Sequence, residues 1–288
     1  MAAIAVPERQ SYASVLLRNR KFVIGATIIL LFIVLALVGE LFVLPGQRAS
    51  GNLPSRLPPA PGVILGTDSL GRSVAVQMTE AIPNSLQIGF IAAFLGTLIG
   101  AIVGFASGYF GGKVDAILRI FIDVFLSVPS LLFLILIAAL VRGVGVQTMA
   151  LIIGIFAWAW PARQVRAQVL SLKERAFVQV ARMSGMSGME IIFRELMPHM
   201  LPWLGANFVN AFIAAVLAES GLSILGLGPQ REMTLGMMIY WALNYSAILQ
   251  NLWWWWLTPV VALVALFLAL YLVHLGFDEV SNPRLRAE

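Results

Sequence analysis

The sequence predicts an all-α integral membrane protein with six transmembrane helices and both termini in the cytoplasm. Three observations carry this expectation. Apolar residues make up 60% of the 288 positions and the mean hydropathy is +0.90, well beyond an ordinary soluble domain. The apolar residues form long unbroken runs, at 22–44, 86–107, 117–140, 146–160, 201–218 and 257–277, near the length of about 20 residues that spans the hydrocarbon as a helix. A transmembrane barrel would show short alternating segments instead. Third, the basic residues are unevenly placed. With the amino terminus inside, 14 of the 19 Lys and Arg fall on inner segments, and Arg48, Arg56, Arg72, Arg142 and Arg231 fall outside. The net charge of +5 is thus an orientation signal and gives no argument for nucleic acid.

Taken in order, residues 1–21 form a cytoplasmic segment and 22–44 the first span. That run is too long for a signal peptide, and no small-x-small cleavage pattern follows it. Residues 45–84 form an outer loop, rich in Pro, Gly and Ser at first. Asp68 is placed to cap a short helix running from Ser69 toward Ile82, and Pro83 to end it before the second span.

Residues 85–277 form a five-helix core. Its first helix carries Gly96, Gly100, Gly104 and Gly108, a four-residue repeat that lets another helix approach closely, within the chain or at the centre of a two-subunit pore. The next contains Pro129, which predicts a kink. It also contains Asp123, a costly residue within a membrane, with Arg119 one turn earlier as its expected partner. A structural pair is favoured over a proton relay, because no further acids continue a chain across the membrane. The run 146–160 is short and ends in the interfacial pair Trp158 and Trp160. The fifth run leads into Glu219-Ser220-Gly221-Leu222-Ser223-Ile224-Leu225-Gly226-Leu227-Gly228. Trp253, Trp254, Trp255 and Trp256 precede the last span; they fit an aromatic belt at the outer boundary or, as the minority reading, contacts to cargo. Residues 278–288 form a cytoplasmic tail.

The insert 171–198 is polar and charged between greasy segments. Ser171-Leu172-Lys173-Glu174 and Ser187-Gly188-Met189-Glu190 both have the spacing of capping boxes. Ser184-Gly185-Met186 breaks the run between them, with Gly185 suited to a left-handed turn. Apolar residues recur at helical spacing on each side: Phe177, Val180 and Ala181, then Met189, Ile192, Phe193 and Leu196. Helix, sharp turn, helix is the expectation, with Pro198 and Pro202 at the entry to the fifth span. Such a hairpin fits a groove on another protein, while a pair lying flat on the membrane surface is the alternative.

This insert resembles the cytoplasmic coupling loop, or EAA loop, of ABC importer permeases. That pattern is Glu-Ala-Ala, three residues, Gly, nine residues, then Ile-x-Leu-Pro. In register it falls on Gln179-Val180-Ala181, Gly185 and Glu195-Leu196-Met197-Pro198. Ala181, Gly185 and Pro198 match; Gln179 stands where the family has glutamate, Glu195 where it has isoleucine and Met197 where it has leucine. Leu65-Gly66-Thr67-Asp68-Ser69-Leu70-Gly71-Arg72-Ser73, the segment from Glu219 to Gly228, and Asn282-Pro283-Arg284-Leu285-Arg286 are similar to segments of dipeptide and oligopeptide permease C-type subunits. The resemblance covers essentially the whole chain in order; residues 229–256 depart from the usual wording.

The resemblance implies the type I ABC importer permease arrangement in a prokaryotic plasma membrane. It implies a homologous permease partner, as a heterodimer, two cytoplasmic ABC ATPases and an extracytoplasmic substrate-binding protein. Phe177, Gln179, Val180, Ala181, Gly185, Met189, Phe193, Leu196 and Pro198 would then form the ATPase-coupling site. Peptides are the cargo implied, with oligosaccharides as the alternative. Gly111-Gly112-Lys113-Val114 lacks the serine or threonine and the upstream glycine of a P-loop. No catalytic residues are expected, and ATP and Mg belong to the partner ATPases. Without cysteine, and with only His199 and His274, no metal site is expected. An ion-coupled secondary transporter and a recruiting scaffold are the competing classes; the first would want intramembrane acids or broken helices in two related repeats, and beyond Asp123 no such acid and no repeat is seen.

Overall fold

A computed structural model describes residues 12–43, 49–141 and 143–281, and these are helical apart from connecting loops and two isolated bridges in the outer loop. Arg9, Arg48, Arg142 and the segment 282–286 lie outside the described residues, as does Leu44 at the end of the first expected span.

The short helix α1 (Tyr12–Arg18) leads to α2 (Arg20–Leu41), which Asn19 caps by accepting a bond from Phe22 N at 3.0 Å. Small residues set how closely α2 lies on the last helix. A Cβ on Gly25 would run into the backbone oxygen of Ala269, and one on Gly276 would meet Phe22 Cβ at 2.6 Å. The other face of α2, including Leu30, Leu31, Leu35 and Leu37, is exposed, as suits a helix against lipid.

The outer loop is an ordered knot. Asp68 is fully buried, and its carboxylate accepts bonds from Leu70 N and Arg72 N, both at 2.8 Å, from Arg72 Nε at 2.7 Å and from Gln77 Nε2 at 3.1 Å. It therefore organises the loop and does not cap the helix; Ser73 is the N-cap. The helix that follows, α3 (Val74–Phe110), runs through Pro83 without stopping, contrary to the expected break. Polar side chains on either side of Pro83 explain its continuity. Glu80 Oε1 accepts from Met233 N at 2.9 Å, Asn84 Nδ2 donates to Met233 O at 2.8 Å and Ser85 Oγ accepts from Leu235 N at 3.0 Å. These bonds brace the helix from outside at the point where proline removes a rung of its ladder.

Pro129 separates α4 (Gly112–Ser127) from α5 (Ser130–Leu140), which are bent by 77°. Next come α6 (Val146–Phe156) and, after a break at Ala157 and Trp158, α7 (Ala159–Leu172). The hairpin helices are α8 (Ala176–Met183) and α9 (Gly188–Ile191). One π turn (Ile192–Leu196) joins α9 to α10 (Met197–Ile224). The chain ends in α11 (Leu235–Asn244) and α12 (Trp253–Ser281).

Among the described residues, four helical stretches are long and apolar enough to cross a membrane, and the bent pair α4–α5 makes a fifth if it counts as one span. The expected span at 146–160 resolves into an apolar helix of 11 residues, about 16 Å long and short of the bilayer core. Asp123 bonds Arg163 at 2.6 Å as well as Arg119 at 3.5 Å, so its pairing reaches across to α7.

The glycine repeat of α3 is used within the chain. A Cβ on Gly96 would meet Ala157 Cβ at 2.9 Å, on Gly100 Pro161 Cβ at 2.6 Å, on Gly104 Val165 Cβ at 2.6 Å and on Gly108 Val169 Cβ at 2.8 Å. Helix α7 thus lies in the groove along its whole length, which is the intramolecular one of the two expected uses.

Candidate functional site: a helical hairpin

Residues 173–199 form a hairpin clasped to the end of the α3–α7 pair. Its turn is built as the sequence implies. Gly185 has φ of +82°, Gly185 N donates to Arg182 O at 3.1 Å and Met186 N to Ala181 O at 3.2 Å, the paired bonds of a Schellman motif. Ser187 then caps α9, accepting from Glu190 N at 3.3 Å. The capping box expected at Ser171 is not made. Helix α7 runs on through Ser171 to Leu172, and α8 starts after Arg175 with no side-chain cap. Lys173 is used differently, its Nζ donating to Gly108 O at 3.0 Å and so tying the hairpin's base to the end of α3.

Each hairpin helix has two apolar faces, and the structure gives them opposite duties. The inner face, with Val178, Ala181, Ile191, Ile192 and Leu196, is buried on Phe105, Val165, Val169 and Met200. Ala181 and Leu196, expected among the partner contacts, belong instead to the hairpin's own core, because that core must be closed before the turn can be held rigidly. Phe177 is half-buried and stacks on His199 with ring centroids 4.6 Å apart.

The outer face remains open: Val180 is 57% exposed, Met183 80%, Met189 55% and Phe193 55%. Gln179 and Gly185 are also exposed, and Pro198 is half-buried in the first turn of α10. Sequence reasoning missed Met183, whose spacing of three from Val180 is the signal that would have found it. It missed Val178 and Ile191 of the inner face for a related reason. A short helix with apolar residues on both sides does not say which side is buried.

Two further features hold the hairpin. A Cβ on Gly188 would lie 2.9 Å from Tyr109 Cε1, so α9 sits directly against the end of α3. Arg166 forms two bonds to Asp115, at 2.6 and 2.7 Å, and Ser107 Oγ donates to the same carboxylate at 2.5 Å. Helices α3, α4 and α7 are thereby joined by one ion pair beneath the hairpin. Bidentate geometry makes it stiffer than an ordinary exposed pair.

The π turn comes between hairpin and α10. Met197 N donates to Ile192 O, five residues back, and Pro198 follows with no N–H to offer. Turn and proline together set the register at which the hairpin feeds α10.

At the opposite end, the four tryptophans divide. Trp254 and Trp255 are buried, and Trp254 Nε1 donates to Thr67 O at 3.1 Å, pinning the outer loop to α12. Trp253 is half exposed and Trp256 partly buried. The run is therefore not four equivalent cargo contacts: Trp254 and Trp255 are committed to packing, and only Trp253 presents a largely open ring. Among the described residues, no three His, Asp or Glu side chains are grouped to hold a metal ion.

Residues 76–287 match the family described as the binding-protein-dependent transport system inner membrane component. The dipeptide transport system permease protein DppC of Bacillus subtilis (strain 168) is 32% identical over 271 residues, 93% of this chain and 83% of that protein. The oligopeptide transport system permease protein OppC of Lactococcus lactis subsp. cremoris (strain SK11) is 29% identical over 224 residues, 77% of this chain and 76% of that protein. A solved structure of the MetNI methionine ABC transporter in an inward-facing conformation aligns with a TM-score of 0.56 at 22% identity, covering 70% of this chain and 93% of the matched one.

Proposed function

The chain belongs to the family of binding-protein-dependent transport system inner membrane components, and from that premise we propose that it is one half of the translocation pore of an ATP-driven peptide importer. It is a multi-pass protein of the prokaryotic inner membrane, with a type I ABC permease fold. A homologous permease supplies the other half of the pore as a heterodimer. Two cytoplasmic ATPases bind ATP and Mg, and an external binding protein delivers the cargo. The chain itself carries no cofactor and catalyses no reaction.

The outward apolar face of the hairpin, Val180, Met183, Met189 and Phe193, is the observation that carries this reading. An apolar strip on two short helices around a stiff turn is a helix-in-groove element. Its inner face is locked into the pore helices, so a rigid shift of the groove moves α3, α7 and α10 with it. Peptide cargo is supported by the names of the similar permeases from Bacillus and Lactococcus.

Reconstitution with a partner permease, the ATPases and the binding protein tests the proposal. Vesicles containing ATP should accumulate a labelled oligopeptide only when binding protein and ATPases are present. Uptake of oligosaccharide and not peptide would replace the cargo, and uptake driven by an ion gradient without ATPase would replace the mechanism.

A further inference from the structure

A cavity of about 380 Å³ opens between the α4–α5 bend, the α6–α7 break and α10, within the range of small-molecule sites. Two of its walls are therefore places where a helix is interrupted, at Pro129 and at Ala157. The third is a face of α10 on which Ala211, Ala214 and Ala218 leave space. None of the lining side chains is charged. Phe125, Phe156 and Trp160 supply rings, and Asn207 and Asn210 supply carboxamides.

The asparagines are out of place unless something polar meets them. Both sit inside a helix that crosses the membrane, where amide groups turned to lipid are costly. Asn207 lines the cavity and uses one N–H on Trp203 O at 3.1 Å, and its carbonyl makes no bond among the described residues. Asn210 is exposed and makes no side-chain bond among the described residues. One turn of helix separates them, so they present two donor-and-acceptor groups side by side.

We infer that this cavity is a cargo station, in which Asn207 and Asn210 hold the backbone amides of a peptide in transit; this rests on the peptide-importer reading. A carboxamide donates and accepts at once, as a peptide group does, so it pairs with any peptide whatever its side chains. Rings and alanines around it accept apolar side chains of varied size. The absence of charge keeps the cavity from trapping charged termini, which a conduit must release.

The test uses the complete transporter in vesicles, with labelled tri-alanine and its backbone N-methylated analogue, which lacks the amide hydrogens. Asn207→Leu and Asn210→Leu should each lower tri-alanine uptake by about tenfold, the size of one or two hydrogen bonds. They should also shrink the preference for tri-alanine over its analogue, which the binding protein's own preference, common to all variants, does not change. Asn210→Gln should recover part of both. Equal uptake and equal preference in wild type and Leu variants overturns the station and leaves peptide import standing. Loss of the partner permease on purification of the variants also overturns it, making the cavity a subunit contact. A wild-type transporter that takes up oligosaccharide and no peptide removes the underlying reading and this inference with it.

Discussion

Gly185 shows how a single residue acts here. Its φ of +82° is the left-handed region, yet a Cβ there would meet nothing within 4 Å. The demand is therefore conformational and not steric. Gly185→Ala should cost about 1 kcal/mol of local stability, and Gly185→Asn less, since asparagine tolerates this region. Gly185→Val should lower the yield of cargo-stimulated ATP hydrolysis into uptake, read as peptides imported per ATP; an unchanged ratio would contradict the coupling role of the turn. Met183 and Phe193 lie on the open face, so Met183→Glu and Phe193→Glu should reduce the ATPase that co-purifies with the permease. Retention of the full amount by both would show that the face is not the docking surface. These positions were partly legible beforehand. Gly185, Ser187 and the helical spacing of Val180, Met189 and Phe193 are local signals, and local signals survive in sequence. The sorting of Ala181 and Leu196 inward and Met183 outward depends on where α3 and α7 lie, which no neighbouring residue records.

At the level of elements, the α3–α7 contact and the π turn carry the argument. A methyl group added at Gly100 or Gly104 would lie less than 3 Å from α7, with the backbone oxygens of Trp158 and Ala162 at 2.8 Å. Overpacking of this kind costs about 1–3 kcal/mol. Gly100→Val and Gly104→Val should lower the thermal midpoint of the isolated permease in detergent; an unchanged midpoint with loss of the partner permease would move the glycines to the subunit boundary. The glycine spacing announced a close approach, but only the fold names α7 as the helix that makes it. In the π turn, insertion of one alanine beside the exposed Arg194 adds a residue that the turn cannot take up and should rotate the hairpin against α10 by about 100°. Uptake should be lost while the protein still inserts in the membrane; normal uptake would show the register to be irrelevant. Nothing in Ile192–Leu196 foretells a π turn, since its composition is that of an ordinary helix. Pro83 misled for the converse reason. Its local effect is to break a helix, and the bonds that Glu80, Asn84 and Ser85 make to the distant Met233 and Leu235 override it.

Across the whole molecule, one mechanical line connects the two ends. The hairpin is fixed to α3 and α7 by its buried face and by Lys173 and Tyr109, and it enters α10 through the π turn and Pro198. At the far end, Trp254 and the Asp68 knot hold the outer loop to α12. Interrupted helices at Pro129 and Ala157 lie between, beside the cavity. A shift of the hairpin thus reaches the helices around the cavity as a rigid movement. The fold class followed from apolar run length, because the bilayer imposes that length. Which helices touch, and which apolar strip stays open, are long-range facts that the runs do not encode. Docking of an ATPase on the open strip can be read by disulfide crosslinking. The chain has no native cysteine, so Met183→Cys places one thiol on the strip and Leu196→Cys one in the hairpin core. With single cysteines placed along the ATPase groove in the assembled transporter, Met183→Cys should crosslink in a nucleotide-dependent way and Leu196→Cys should not. Absence of any crosslink from Met183→Cys in a transporter that still hydrolyses ATP and imports peptide would contradict the account.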